Sequence, residues 1–330
     1  MTTPTTNITF SSIQTEFGGS NPISLSEYTR GGSIVNTNQT SPNGTIPSSN
    51  SNISMGVFRL VTKYNPRVSI NVSVTGTPID YVAGTSKASG YIAGKSDVTF
   101  TVSGNCIASS TGAYAFTVDS SWDIGDTVTV VLTGALIGAG GNGGDGGGWA
   151  DGGGYALDNA VNGGVGGRAL LVVRQGGIIF TNSGLILGGG GGGGGGGSAD
   201  SFSGYAYSTS SGGGGGGGRG YYGGAAGLAG YSSIYHNTYG GGADGTAGGL
   251  NGGGNGGGGG QGGYGYSYGG AGGNGGNWGA AGGTGGAGYS YGGDDSYNGA
   301  SGGAGGYAVV GKSFINIGAG VGGTYYGSQV

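Results

Sequence analysis

Leu187 is followed by ten consecutive glycines, Gly188 to Gly197, and Ser211 by seven more, Gly212 to Gly218. Around these pure runs the glycines come in pairs separated by one variable residue: Gly140-Gly-Asn-Gly-Gly-Asp, Gly163-Gly-Val-Gly-Gly-Arg, Gly269-Gly-Ala-Gly-Gly-Asn, Gly282-Gly-Thr-Gly-Gly-Ala and Gly302-Gly-Ala-Gly-Gly-Tyr. The backbone conformation that repeats every three residues is the polyproline-II type helix, which makes no internal hydrogen bonds. With two glycines in three, several such helices can approach until their N–H and C=O groups bond to one another. Buried peptide groups need partners of that kind. The spacing therefore predicts a bundle of polyglycine-II helices whose core is backbone.

Composition points the same way. Of 330 residues 97 are glycine, and only 13 of these precede Gly134. The six prolines all lie between Pro4 and Pro78, which excludes a collagen triple helix. The glycine-rich part carries 17 of the 22 tyrosines, unlike a disordered linker. A net charge of −4 with no Lys/Arg-dense stretch argues against a nucleic-acid partner. The opening residues lack the pattern of a signal peptide, and no run of 18 apolar residues exists, which predicts a soluble chain without membrane insertion. Cys106 is the one cysteine and reads as a small buried hydrophobe.

Three regions follow. Residues 1–55 are rich in Thr, Ser, Asn and Pro, with an apolar island at 7–28 too small to bury a core alone, and read as a docking arm completed by a partner or as a partly ordered tail. Residues 56–134 alternate β-branched and polar positions, as in Val68-Ser-Ile-Asn-Val-Ser-Val and Asp126-Thr-Val-Thr-Val-Val-Leu, and read as a β-sandwich-like adaptor domain. Residues 135–330 form the glycine bundle, so the fold class is mainly β plus irregular structure. The apolar stretches around 168–187 and 307–317 read as strands beside the bundle's inner end.

If each glycine run crosses the bundle once, the outer turns are Trp149–Asn162, Ser198–Ser211, Tyr231–Tyr239, Tyr264–Tyr268 and Tyr289–Asn298. The inner reversals fall near 176–177, 219–223, 250–251 and 278–281, which leaves the pair Tyr221-Tyr222 at the inner end. Tyr, Ser, Gly and Asn dominate the outer turns. That is the composition of adaptable binding loops, in which tyrosine supplies a large contact with few rotatable bonds. The binding candidates are Trp149 and Tyr155; Phe202, Tyr205 and Tyr207; Tyr231, Tyr235, His236 and Tyr239; Tyr264, Tyr266 and Tyr268; and Tyr289, Tyr291, Asp294, Asp295 and Tyr297.

Several motifs imitate catalytic chemistry. Gly306-Tyr-Ala-Val-Val-Gly-Lys-Ser313 spells a phosphate loop, but a glycine run precedes it and β-pattern residues follow. Gly265-Tyr-Ser-Tyr-Gly269 and Gly288-Tyr-Ser-Tyr-Gly292 spell a nucleophile elbow in a chain with a single histidine. Asp294-Asp295 reads as a solvated turn. No enzyme activity, cofactor or metal is expected.

The order Gly163-Gly-Val-Gly-Gly-Arg-Ala-Leu, then Ile178-Ile-Phe-Thr-Asn-Ser-Gly-Leu-Ile with its long glycine run, then Gly306-Tyr-Ala-Val-Val-Gly-Lys-Ser-Phe-Ile and Gly-Thr-Tyr-Tyr-Gly-Ser, resembles the glycine-rich adhesin at the tip of T-even phage long tail fibres over about 138–330. The resemblance implies a polyglycine-II sandwich whose distal loops bind host outer-membrane receptors. Separately, the segment Thr15-Glu-Phe-Gly-Gly-Ser-Asn-Pro-Ile-Ser-Leu-Ser-Glu-Tyr resembles openings of tailed-phage structural proteins. Together these imply a virion tail protein that recognises a host surface protein or glycan and holds other tail proteins through its N-terminal segment. A homo-oligomer such as a trimer stays open. So do two other readings, a structural virion protein binding other tail subunits and an ice-binding protein.

Overall fold

A computed structural model describes residues 3–330 except 5, 23, 36–38, 40, 50–52, 62–66, 88–89, 151–155, 204–205, 231, 234–240, 263–266, 292–294 and 318–322. The chain is mostly β and divides into two compact units, Met1–Val68 and Ser69–Val330.

The first unit has a core of its own. Its helix, Phe10–Phe17, opens on a capping box in which Thr9 and Ser12 each accept the other's backbone N–H. Ile13 and Phe17, four residues apart, share the buried face. The rings of Phe17, Tyr28 and Phe58 meet edge to face at centroid distances of 5.7 to 6.3 Å. Val35, Ile46 and Val61 complete the cluster. The expectation that this segment buries no core fails for a local reason: Phe58 and Val61, beyond position 55, supply the missing side chains.

In the second unit the chain coils around three sheets. Ser96–Val102 lies on the first face, Asn105–Ile107 on the second and Tyr114–Val118 on the third. The next coil repeats this with Thr127–Leu132, Ala135–Ile137 and Arg168–Val172. Another follows with Ile178–Asn182, Leu185–Leu187 and Val309–Val310, and Ile315–Ile317 and Thr324–Tyr326 add to the first two faces. Each pairing is parallel and stacks like on like: Phe100, Val130 and Phe180 in one ladder, Phe116 and Leu170 in another, Cys106, Leu136 and Ile186 in a third, all buried.

This differs from an antiparallel sandwich, and the corners show why. Val74-Thr-Gly-Thr-Pro-Ile, Val102-Ser-Gly-Asn-Cys-Ile, Leu132-Thr-Gly-Ala-Leu-Ile and Asn182-Ser-Gly-Leu-Ile-Leu occupy the same corner in successive coils. A Cβ on Gly134 would lie 2.0 Å from Gly104 O, and one on Gly184 would lie 2.1 Å from Gly134 O. Only glycine lets the coils stack this closely. Arg174, buried at another corner, donates from Nη2 to Asp123 O at 2.7 Å and also bonds the Asp126 and Gly177 carbonyls.

The glycine-rich segments leave this coil and return to it. Residues 138–148 go out and 159–167 come back; 188–198, 223–230, 252–262 and 279–288 go out, and 211–220, 241–249, 269–277 and 297–307 come back. Their backbones bond to one another every third residue. From 188–197, Gly190, Gly193 and Gly196 donate to the 211–220 segment, and Gly191, Gly194 and Gly197 donate to 279–288. Gly189, Gly192 and Gly195 donate to 159–167, and further bonds come from 138–148, 269–277 and 297–307. The 212–218 run is likewise enclosed by 138–148, 188–198, 223–230, 241–249, 252–262 and 269–277.

That enclosure explains the two pure runs. Cβ atoms added at Gly192, Gly193 and Gly194 would lie 1.8, 1.9 and 2.0 Å from carbonyl oxygens of three different neighbours. Segments on the outside have one residue in three facing solvent, and there side chains are allowed. Many of these are Asn or Asp, because the outward N–H of a neighbouring segment needs an acceptor. Asn142 Oδ1 accepts from Ala225, Asp145 Oδ1 from Leu228, Asp244 Oδ1 from Ala229 and Asn274 Oδ1 from Gly256, at 2.7 to 3.0 Å. At the inner end Trp278 packs against Ile107, Ala135, Ile137 and Leu187 of the coil, with the Arg219 guanidinium 4.7 Å from its ring centre.

Gly194→Ala destabilises the second unit by more than about 4 kcal/mol, whereas Gly258→Ala, whose Cβ meets nothing within 4 Å, shifts stability by about 0.5 kcal/mol or less; thermal unfolding of both variants checks this. Burial raises the Cys106 thiol to about 12, so maleimide at pH 8 labels it only after denaturation.

Candidate functional site

The outer turns meet at one end of the glycine segments because their last glycines are in register. Gly147 donates to Gly196, Gly212 to Gly147, Gly230 to Gly212, Gly260 to Ser211, Gly269 to Gly260 and Tyr297 to Ser198, at 2.7 to 3.0 Å. Beyond this level the turns build small sheets. Ala199–Ser203 and Ala206–Ser210 form a hairpin that places Phe202 opposite Tyr207. Ser267–Tyr268 pairs antiparallel with Tyr289–Ser290. Gly148–Ala150, which contains Trp149, pairs with Ala156–Asp158 on one side and with Ser232–Ser233 on the other.

Buried hydroxyl residues lie where the glycine segments give way to these strands, most of them within the strands themselves. Ser198, Ser201, Ser208, Thr209, Ser210, Ser211 and Ser267 are all buried. The Ser208 and Ser267 hydroxyls bond each other at 2.9 Å, and Ser211 Oγ accepts from Gly242 N–H at 2.8 Å. Serine is the smallest side chain that can end a glycine column and still satisfy a neighbouring peptide group. This layer is the part of the site that residue-type reasoning overlooks; its signal is the change between glycine and Ser at 198 and 211.

Above it the side chains turn outward. Tyr268, Tyr289 and Tyr291 are 40, 58 and 69% exposed, and Asp295 is exposed beside them in sequence. Tyr297 is half-buried, and its hydroxyl is held above the usual tyrosine range by burial and then by the charges of Asp295 and Asp200. It stays neutral near pH 7 and can both donate and accept. Of the other candidates, Trp149, Phe202 and Tyr207 are placed by their strands. Tyr155, Tyr205, Tyr231, Tyr235, His236, Tyr239, Tyr264, Tyr266 and Asp294 lie outside the described residues. Tyr221 and Tyr222 stand at the opposite end, in the turn after 211–220.

Two of the catalytic look-alikes, Lys312 and Ser267, lack the local context their motifs require. Lys312 follows Gly311, at φ +85°, and sits in a one-turn 3-10 segment between strands rather than at the start of an α-helix. Ser267 is buried with its hydroxyl bonded to Ser208. Among the described residues no group of His, Cys, Asp and Glu could hold a metal ion, and no helix is long and apolar enough to cross a membrane.

Comparison with known proteins adds an independent observation. Residues 67–330 match the family model described as phage tail fibre adhesin Gp38. No curated protein matches. Among solved structures, the gp37–gp38 adhesin tip complex of the bacteriophage S16 long tail fiber is similar at 20% identity and a TM-score of 0.44, covering 97% of each chain. The family match takes in both the coiled strands and all the glycine segments, and the chain therefore belongs to the Gp38 family of phage tail fibre adhesins, proteins of the virion tail fibre.

Proposed function

We propose that this adhesin binds a host surface receptor, a protein or a glycan, through the turns gathered beyond the hydroxyl layer, and does so without catalysis. The single observation that carries the reading is the common register of the outer turns, which concentrates exposed Tyr268, Tyr289, Tyr291 and Asp295 on one end of a rigid support. The glycine segments are proposed to be polyglycine-II helices, consistent with their three-residue bonding period. Such a support suits variable loops, because its stability resides in peptide groups below them. Aromatic side chains on short, anchored turns lose little entropy on binding. The N-terminal segment is proposed to hold other tail proteins.

Replacing the exposed side chains of Tyr268, Tyr289, Tyr291 and Asp295 with serine, which leaves the buried hydroxyl layer intact, tests this. The expected result is loss of binding to host cells with an unchanged thermal unfolding transition. Normal adsorption by a folded variant contradicts the proposal and favours a protein whose loops contact other tail subunits.

A further inference from the structure

Tyr221 and Tyr222 are not absorbed by a binding tip, since they lie at the far end of the glycine segments. Both are exposed, and their rings meet edge to face with centroids 5.4 Å apart. Beside Tyr222 is a cleft of about 270 Å³, walled by the turn Ser109-Ser110-Thr111 of the coil and by Asn142 and Val165 of two glycine segments. None of its lining residues is charged.

Its walls are fixed. Ser109 N–H donates to Asp80 Oδ1 at 2.8 Å, and Ala113 N–H donates to Ser110 O at 3.2 Å. A Cβ on Gly167 would come within 3.2 Å of Thr111 Cα, so the turn rests directly on the 159–167 segment. Gly140 N–H holds the Tyr222 carbonyl at 2.9 Å. The residues lining the cleft bring to it an exposed aromatic residue, the hydroxyl-bearing Ser110 and Thr111, and Asn142, whose Oδ1 takes the Ala225 N–H while its Nδ2 remains a donor.

We propose that this cleft is a second binding site, for a neutral saccharide, distinct from the tip. A pyranose ring has an apolar C–H face and a rim of hydroxyls. The Tyr222 ring matches the first, and the hydroxyls and carboxamide match the second. The uncharged lining gives no counter-charge to a phosphorylated or carboxylated sugar. Partial enclosure between coil and glycine segments supplies the concavity a small ligand needs.

Saturation-transfer NMR on the full chain with lactose, maltose and N,N'-diacetylchitobiose as probes tests this. At least one disaccharide receives saturation on its ring C–H protons. Tyr222→Ala weakens it by about tenfold or more, the loss of one well-placed aromatic contact. The double variant Ser110→Ala/Thr111→Val weakens it as well, while serine at exposed Tyr268, Tyr289, Tyr291 and Asp295 leaves it unchanged. That last arm separates the cleft from the tip. No saturation of any of the three sugars, equal binding by Tyr222→Ala, or loss of binding in the tip variant overturns the proposal.

Discussion

The hydrogen bond from one glycine segment's N–H to another's C=O is the interaction on which the second unit depends. Each is worth about 1 kcal/mol net, but a buried peptide group left without one costs about 1–3 kcal/mol. The enclosed runs at 188–197 and 212–218 therefore stand or fall with all their neighbours. Glycine pays a large entropy cost on ordering. It is tolerated here because carbonyl oxygens within about 2 Å of an added Cβ leave no alternative residue.

The same constraint organises the rest. Solvent-facing positions of the outer segments accept side chains, and Asn and Asp there return an oxygen to the neighbouring segment's N–H. Where the two enclosed runs end, Ser198 and Ser211 take the place of glycine, and Ser211 Oγ accepts the Gly242 N–H. Where they begin, the three-sided coil presents strands Ala135–Ile137 and Leu185–Leu187, from which 138–148 and 188–198 emerge parallel and already in register. The coil thus sets the spacing of the first two outgoing segments, and the glycines carry it to the tip.

Much of this was legible in the sequence, for reasons that differ by region. The three-residue period of Gly163-Gly-Val-Gly-Gly-Arg marks the outer segments, and the unbroken runs mark the enclosed ones. Alternation in Asp126-Thr-Val-Thr-Val-Val-Leu identified strands but not their partners, because a parallel coil and an antiparallel sandwich both bury alternate side chains. The deciding signal was the repeated corner of hydroxyl residue, glycine and apolar residue at 75–79, 103–107, 133–137 and 183–187. Its irregular intervals hide it, since whole glycine excursions are inserted between coils. The core of residues 1–61 was hidden because Phe17, Tyr28 and Phe58 are distant in sequence and no periodicity links them. At the tip, the aromatic turns stood out by composition, while the buried hydroxyl layer did not, because serine is common throughout the chain.

Amide hydrogen exchange on the glycines tests the backbone core most directly. Gly189–Gly197 and Gly212–Gly218 carry no side chain that could shield them, so any protection must come from their bonds to neighbouring backbones. The account predicts that these amides exchange only through global unfolding and are as slow as those of the buried strand Thr127–Leu132. Exchange at the rate of an unstructured glycine peptide, with the strand still protected, would contradict it.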